Sequence, residues 1–203
     1  MVNKEHPENI HPIFDRQLAR EDKEALLKQR GMVLWMTGLS GSGKSTIAIG
    51  LEKKLFGEGF VTQVLDGDNI RTGLNKDLKF SETDRLENTR RIAEVAKLFA
   101  NCGIITICSF VSPTDDIREQ VRSIIGKKDF FEIYVNASFE VCETRDVKGL
   151  YKKARQGEIK HFTGLDAPFE APENPALEIK TDELDVNESI EKLHRFVKGI
   201  VLN

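Results

Sequence analysis

The chain has 203 residues, of which 39% are hydrophobic and 31% charged, and its formal net charge at neutral pH is −3. This length suits one domain with a substantial core, and the lack of a basic excess argues against a nucleic-acid partner, because binding a phosphate backbone needs clustered positive charge. No apolar run approaches the roughly 20 residues that span a bilayer, and residues 1–6 lack the apolar stretch of a signal peptide, so we expect a cytoplasmic protein with no membrane partner.

The first 56 residues predict an arm, a helix, a strand and a second helix. Residues 1–18 are polar and should form a surface arm, while residues 20–30 should form a helix with Gly31 as its C′ residue. The apolar run 32–36 predicts a buried strand, and residues 46–56 resume with helical character. We therefore assign residues 1–30 to an N-terminal arm and helix, and residues 31–203 to the main domain.

The segment between this strand and the second helix has P-loop spacing, a Gly followed by four residues and then Gly-Lys-Ser. Its glycines let backbone N–H groups approach a phosphate, and the helix that follows favours an anion at its N-terminus. Lys44 should reach the β- and γ-phosphates of a nucleoside triphosphate, and the Ser45 hydroxyl should ligate Mg²⁺. A flexible Gly/Ser-rich turn is the alternative. The predicted phosphate-binding residues are Gly38, Ser40, Gly41, Ser42, Gly43, Lys44, Ser45 and Thr46.

Residues 60–65 predict a second strand, which ends at the acidic turn Asp66-Gly67-Asp68. A carboxylate at the carboxyl end of a strand, facing a P-loop, could hold Mg²⁺ through water and orient or deprotonate an attacking hydroxyl. We therefore predict that Asp66 is the catalytic acid or base. The alternative is that Asp66 only shapes a turn before Gly67.

A long helix is expected from Ser81, which has a capping-box pattern, to about Cys102. Its apolar stripe comprises Ile92, Val95, Ala96 and Phe99. One step back along the same face lies Asn88, and the next is Arg85. Polar groups on a core-facing stripe favour a polar site at this end of the helix.

The remaining elements alternate between strands and helices. Strands are expected at 104–110, 130–135 and 177–180, and helices at 114–125, 139–143 and 189–201. The basic segment 146–166 is predicted to be a lid, with a solvated basic face as the alternative, and 167–176 should be an extended loop. The pattern predicts a three-layer α/β sandwich with a mainly parallel sheet of about five strands. The three cysteines should be small buried hydrophobes, and the histidines have no metal-ligand spacing.

Two observations narrow the class of P-loop protein. The chain has no Asn/Thr-Lys-x-Asp motif, which guanine-reading proteins use, so a GTPase is disfavoured. The strand at 104–110 ends in Ser109 and Phe110, where hydrolases often carry an Asp. The acid follows the second strand instead, and together with a lid this favours a small-molecule kinase, which must exclude water.

Further motifs, in order, resemble the adenylylsulfate kinase (APS kinase) family from about Gly31 to Thr181. They are Asp66-Gly67-Asp68-Asn69-Ile70-Arg71, Gly73-Leu74-Asn75, Phe80-Ser81, Asp84-Arg85, Glu87-Asn88, Arg90-Arg91, Val111-Ser112-Pro113, Arg145-Asp146, Lys148 to Arg155, Phe162-Thr163-Gly164 and Glu170-Ala171-Pro172-Glu173. The resemblance implies transfer of the γ-phosphoryl group of ATP to the 3′-hydroxyl of adenosine 5′-phosphosulfate (APS) with Mg²⁺, and commonly a homodimer.

The resemblance also implies roles for individual residues. Catalysis would involve Asp66, Lys44 and Ser112. The ATP base would lie near Arg145, Ala171 and Pro172, and the substrate adenine between the rings of Phe80 and Phe162. The implied APS site comprises Asp66, Asp68, Arg71, Phe80, Arg85, Asn88, Val111, Ser112, Pro113, Lys148, Leu150, Phe162 and Thr163.

Three departures from the family pattern stand near the site. Thr114-Asp115-Asp116 follows Pro113, where the family usually shows an aromatic residue or His and then Arg; Arg118 could compensate for the reversed charge. Thr72 stands where a His is usual, and Lys79 where a Gly is common. Two alternatives stay open at this point: a P-loop kinase of another small hydroxylated metabolite, and a nucleotide-binding regulatory subunit without turnover.

Overall fold

Strand β1 (Met32–Thr37) lies at the centre of a five-stranded sheet in the computed structural model, which describes residues 9–201. The other strands are β2 (Thr62–Asp66), β3 (Ile105–Ser109), β4 (Phe130–Asn136) and β5 (Leu177–Lys180). Their order is β2-β3-β1-β4-β5, and every neighbouring pair is parallel. The predicted three-layer α/β sandwich is confirmed.

The helices are α1 (Arg20–Leu27), α2 (Lys44–Gly57), α3 (Gly67–Thr72), α4 (Glu82–Asn101), α5 (Asp115–Ile125), α6 (Phe139–Arg145), α7 (Leu150–Arg155) and α8 (Val186–Val201). A short 3-10 helix, Phe14–Arg16, precedes them. No described helix is long and apolar enough to cross a membrane. Residues 1–8 of the predicted arm lie outside the described residues.

Alternating side chains of β1 build two separate cores, because successive residues of a strand point to opposite faces of the sheet. Met32, Leu34 and Met36 pack into the core beneath α2 and α8. Val33 and Trp35 pack into the core beneath α4 and α5. All six residues of β1 are fully buried, as expected of a parallel strand covered on both faces.

The structure contradicts two local predictions, the C-terminal end of α1 and the burial of Cys102. Helix α1 ends at Leu27, three residues earlier than expected, with Lys28 in the left-handed conformation. Gly31 is therefore not its C′ residue; a Cβ there would lie 2.0 Å from the carbonyl oxygen of Ala100. Cys102 caps the C-terminus of α4 and is exposed, whereas Cys108 and Cys142 are buried as predicted.

The register of the sheet brings the carboxyl ends of its strands together. Asp66 at the end of β2 is the partner of Ser109 on β3, and Ser109 is in turn the partner of Met36 on β1. The P-loop follows β1 directly. The acidic turn, the end of β3 and the P-loop therefore meet at one edge of the sheet, where ligands of open α/β sheets bind.

Candidate active site

A cavity of about 1200 Å³ opens at this edge. The P-loop and the first turn of α2 line one side, α3 and the N-terminal half of α4 line another, and residues 145–163 cover the top. A single drug-sized ligand usually occupies 300–1,000 Å³. The cavity is therefore large enough for two ligands that meet.

The P-loop adopts a conformation that its glycines require. Gly41 has φ +80°, and a Cβ at this position would lie 2.7 Å from the carbonyl oxygen of Cys142. A side chain would therefore both strain the backbone and collide with α6. Ser40, Gly41 and Gly43 of the loop line the cavity.

The Lys44 ammonium lies against its own loop. Its Nζ donates hydrogen bonds to the carbonyl oxygens of Gly38 at 2.9 Å and Leu39 at 2.8 Å, with the Ser42 hydroxyl at 3.4 Å. Gly38 and Ser42 are buried beneath the loop and do not line the cavity. Burial lowers the pKa of Lys44 to about 8, because removing a charge from water disfavours its ionised form.

We expect Lys44 to take up a proton when MgATP binds above pH 8. The triphosphate favours the charged ammonium, so empty molecules in which Lys44 is neutral must gain a proton. With an apo pKa of about 8, uptake from this group should be about 0.9 proton per ATP at pH 9 and about 0.1 at pH 7. Titration calorimetry in buffers of different ionisation enthalpy measures the uptake. Equal uptake at both pH values would contradict the expectation.

Three oxygen-bearing side chains converge beside the P-loop. The Ser45 hydroxyl on the first turn of α2 donates to Oδ2 of Asp66 at 2.7 Å and lies 3.3 Å from the Ser109 hydroxyl. Oδ1 of Asp66 accepts the N–H of Asp68 at 3.1 Å, so Asp66 is also the N-cap of α3. The turn interpretation of Asp66 and the functional one are thus compatible. Helix α3 itself was not predicted.

Two arginines face the cavity on the side of α3 and α4. Arg71 donates to the carbonyl oxygens of Leu78 at 3.2 Å and Lys79 at 3.1 Å. Arg85 donates to the carbonyl oxygens of Phe80 and His161 and to the Thr163 hydroxyl. Burial lowers the pKa of both guanidinium groups, and each adds positive charge to the same cavity.

Neither guanidinium, Arg71 or Arg85, forms an ion pair with any carboxylate within residues 9–201. Most other arginines of this chain are paired, such as Arg91 with Asp77 and Glu87. Partly buried positive charge without a carboxylate partner favours an anionic ligand. This end of the cavity is suited to an anion.

Asn88 occupies the position that the helix stripe predicted, buried on α4 and lining the cavity. Its Oδ1 accepts a hydrogen bond of 3.0 Å from the side chain of Asn75, which is fully buried. The aromatic rings of Phe80 and Phe162 line the same cavity. The Arg71 guanidinium lies 4.5 Å from the centroid of the largely exposed Phe80 ring, a cation–π distance.

Ser112 follows β3 in a strained conformation, with φ +42° at a residue that precedes a proline. The Trp35 indole N–H donates to its hydroxyl at 2.9 Å, and Arg118 donates to its carbonyl oxygen at 2.9 Å. Val111, Ser112 and Pro113 all line the cavity. Contacts with β1 and α5 therefore hold this turn in place.

Asp115 carries a negative charge in the segment where the family usually has an Arg, and this charge is paired outside the cavity. Its carboxylate forms an ion pair with Arg118, and its N–H donates to Glu170 at 2.7 Å. Arg118 is buried and also pairs with Glu132 at 2.9 Å. Asp115 does not line the cavity, so its negative charge does not face the anion-binding end. Arg118 compensates for it by direct contact.

The predicted lid segment, residues 146–166, contains α7 and contributes several cavity-lining side chains. Lys148 forms an ion pair with Asp68 across the cavity mouth. Asp146 accepts the N–H groups of Tyr151 and Lys152, each at 3.0 Å, at the start of α7. Arg145, just before the segment, donates to the carbonyl oxygens of Gly41 at 3.3 Å and Thr181 at 2.6 Å.

The structure brings nearly all of the predicted site residues to one cavity. Those that line it are Ser40, Gly41, Gly43, Lys44, Ser45, Thr46, Asp66, Asp68, Arg71, Phe80, Arg85, Asn88, Val111, Ser112, Pro113, Arg145, Lys148, Leu150, Phe162 and Thr163. Ala171 and Pro172, predicted near the ATP base, do not line it. The loop that carries them runs beside α5 and β4, where the N–H of Glu170 donates to the Pro113 carbonyl oxygen at 2.8 Å and the N–H of Ala176 to that of Glu132 at 2.8 Å.

Residues that follow β5 line the cavity and were missed from the sequence. They are Thr181, Leu184, Asp185, Val186 and Ser189. The Thr181 hydroxyl donates to the carbonyl oxygen of Ser42 at 2.8 Å, which joins this segment to the P-loop. The rule that ligands gather at the carboxyl ends of strands would have identified them, had it been applied to the last strand.

Comparison with known proteins identifies relatives of this chain. Residues 30–180 match the family described as adenylylsulphate kinase. The adenylyl-sulfate kinase of Bacteroides fragilis (strain YCH46) is 62% identical over 193 residues, which cover 95% of this chain and 96% of the relative. The structure of the Mycobacterium tuberculosis APS kinase in complex with AMPPNP and APS has a TM-score of 0.80 at 45% identity, covering 83% of this chain and 98% of that chain.

A gluconokinase from Sinorhizobium meliloti 1021 has a TM-score of 0.57 at 17% identity, covering 84% of this chain and 93% of that chain. This likeness shows a shared fold alone. The fold is therefore common to kinases of different acceptors, and the acceptor must be argued from the site.

Proposed function

The chain belongs to the adenylylsulphate kinase family, and from that membership and the cavity we propose that it transfers the γ-phosphoryl group of ATP to the 3′-hydroxyl of APS. The products are ADP and 3′-phosphoadenosine 5′-phosphosulfate. The sequence relationship covers nearly the whole chain. The P-loop residues supply the donor side of the reaction.

The observation that carries the acceptor assignment is the pair of arginines on the α3 and α4 side of the cavity, Arg71 and Arg85. Both lack a carboxylate partner within residues 9–201, and the phosphosulfate group of APS is an anion that two guanidinium groups can hold by charge-assisted hydrogen bonds. Phe80 and Phe162 line the same space and provide flat apolar faces for the adenine. A sugar acid would use the arginines but not both rings.

Asp66 is assigned as the residue that orients and deprotonates the 3′-hydroxyl. As the hydroxyl oxygen bonds to the γ-phosphorus, the bond to the β–γ bridging oxygen breaks and ADP leaves. The hydroxyl proton passes to the Asp66 carboxylate. Lys44 stabilises charge on the β- and γ-phosphates, and Ser112 borders the acceptor.

The residues beside the phosphate end also fit Mg²⁺. The hydroxyl of Ser45 lies 2.7 Å from Oδ2 of Asp66 and 3.3 Å from the hydroxyl of Ser109. Hydroxyl and carboxylate oxygens are the hard donors that this ion prefers. We assign Ser45 as a direct ligand and Asp66 as a ligand through water. Mg²⁺ held by these residues would neutralise the negative charge that develops during phosphoryl transfer.

Residues 146–166 are proposed as a lid over both substrates. Lys148 and Leu150 line the cavity, and a kinase needs closure because water would otherwise accept the phosphoryl group. In this proposal the Lys148–Asp68 ion pair exchanges for contacts with the ligands. Residues 31–203 act as the kinase domain.

We infer further that the protein is a cytoplasmic homodimer. Apolar side chains near the N-terminal end are 51–83% exposed, namely Ile10, Ile13, Phe14, Leu18 and Leu26. They lie close together in the chain, and a contiguous exposed apolar patch marks an interaction surface. Light scattering should give twice the mass of one chain, and Phe14→Ser with Leu18→Ser should shift the equilibrium toward single chains.

The proposed function is tested by ADP release with three acceptors: APS, AMP and gluconate. Turnover with APS alone supports the proposal. Turnover with gluconate but not APS would identify a different metabolite kinase, and ATP binding without turnover on any acceptor would identify a regulatory subunit.

Replacing Arg85 by methionine should raise the KM for APS by about 10- to 100-fold, because charge-assisted hydrogen bonds to the anion are lost. The KM for ATP should stay within about twofold. Arg90→Met is the matched control, since Arg90 lies on the same helix but is exposed and pairs with Glu87. An equal rise in KM in both variants, or a rise for ATP instead of APS, would contradict the assignment.

A further inference from the structure

Tyr151 lies between the P-loop and the wall of the acceptor site. It is the second residue of α7 and is 1% exposed. Its hydroxyl donates to the carbonyl oxygen of Ser40 at 2.8 Å, across 111 residues of chain. Ser40 lines the cavity at the donor end. The hydroxyl of Tyr151 therefore contacts the main chain of the P-loop.

The ring of the same residue contacts the acceptor end. It packs edge-on against Phe162, with centroids 4.9 Å apart, and against Phe139 at 5.5 Å. Phe162 lines the cavity, whereas Tyr151 itself does not. One buried side chain thus touches a residue at each end of the cavity and does not line the cavity itself.

The surroundings of Tyr151 leave its ring little freedom. Its N–H donates to Asp146, and the ring belongs to a small core with Ala137 and Cys142. Burial raises the pKa of the phenol well above its usual value, so the hydroxyl stays a hydrogen-bond donor at working pH. If the Ser40 carbonyl group moves, either the Tyr151 ring moves with it or the hydrogen bond breaks, because a packed interior leaves no room for gradual adjustment.

We propose that Tyr151 is a positioning residue that couples the two substrates, so that an occupied P-loop holds Phe162 in place for APS. The inference rests on the proposed function. Coupling of this kind is reciprocal: nucleotide raises the affinity for APS, and APS raises the affinity for nucleotide by the same factor. Tyr151 contributes to that factor through the hydrogen bond to Ser40.

The test measures the dissociation constant of APS by calorimetry with and without saturating Mg–AMPPNP. In the unaltered protein, AMPPNP should lower this constant severalfold. The coupling ratio is the dissociation constant of APS without AMPPNP divided by the constant with AMPPNP. Tyr151→Phe keeps the ring but loses the hydroxyl, and it should lower this ratio toward one by about fivefold, the effect of one hydrogen bond. APS affinity without nucleotide should change by less than about twofold.

A control and a second variant separate coupling from core packing. Tyr134→Phe removes the hydroxyl of the other tyrosine of the chain, whose ring stacks on Phe169 outside the cavity, and its ratio should match that of the unaltered protein. Phe162→Leu should lower the ratio too, and combining it with Tyr151→Phe should lower it no further, because both act through one contact.

An unchanged ratio in Tyr151→Phe would overturn the inference, as would a ratio of one in the unaltered protein. A lower melting temperature in Tyr151→Phe with an unchanged ratio would assign Tyr151 to packing alone. Failure of the proposed function has a different signature, since APS would then not bind the unaltered protein in either condition.

Discussion

Lys44→Ala is expected to lower kcat/KM for ATP by about 10³-fold, because one preorganised positive charge at the transferring phosphoryl group accounts for two to three powers of ten in rate. The ammonium lies at the P-loop, within 2.9 Å of the carbonyl oxygens of Gly38 and Leu39. Steady-state ADP release, with folding checked by circular dichroism, measures the loss.

The matched control for this change is Lys53→Ala. Lys53 lies on the same helix, α2, but is exposed, and its removal should leave kcat/KM within about twofold. Near-normal activity of Lys44→Ala would contradict the assignment of the P-loop as the donor site.

Asp66→Asn is expected to lower kcat by about 10²- to 10⁴-fold, the usual contribution of a general base, and to change ATP affinity much less. Asparagine has nearly the same shape and can still accept the N–H of Asp68, which now donates at 3.1 Å. It has no negative charge and cannot take the proton of the acceptor hydroxyl. Turnover and nucleotide titration on the same preparation separate the two effects.

Asp116→Asn is the control for Asp66→Asn. Asp116 is an exposed residue near the start of α5 and does not line the cavity, so neither kcat nor ATP affinity should change. If Asp66→Asn lost ATP binding while its kcat at saturation stayed normal, Asp66 would be a nucleotide-binding residue and not the base.

Signals confined to a short stretch of chain predicted most of the fold. The buried run of β1, the N-cap at Ser81 and the apolar stripe of α4 each depend on neighbours within about one or two turns, so the helix from Ser81 begins where expected, with the Ser81 hydroxyl accepting the N–H of Asp84 at 3.1 Å. Helix α3 escaped prediction because its six residues are too few for a periodic pattern.

Local spacing says least about positions where distant segments meet. Gly31 looked like a helix terminus, yet it is needed because the backbone at Ala100 approaches it. The role near the ATP base that the resemblance implies for Pro172 stays a prediction; its loop runs beside α5 and β4, and Pro172 does not line the cavity. The sequence offered Arg118 as compensation for the reversed charge at Asp115, and Arg118 does pair with Asp115, which does not line the cavity.

By itself the sequence determined the α/β class, the P-loop with Lys44 and Ser45, and the polar face of α4 that carries Arg85, because each depends on local spacing. Only the tertiary structure decided that Asp66 meets Ser45, that Arg85 lacks a carboxylate partner among the described residues, and that Tyr151 reaches Ser40. These contacts join residues from 21 to 111 positions apart. The order and register of the strands bring these residues together, and the residues in contact do not by themselves reveal that order or register.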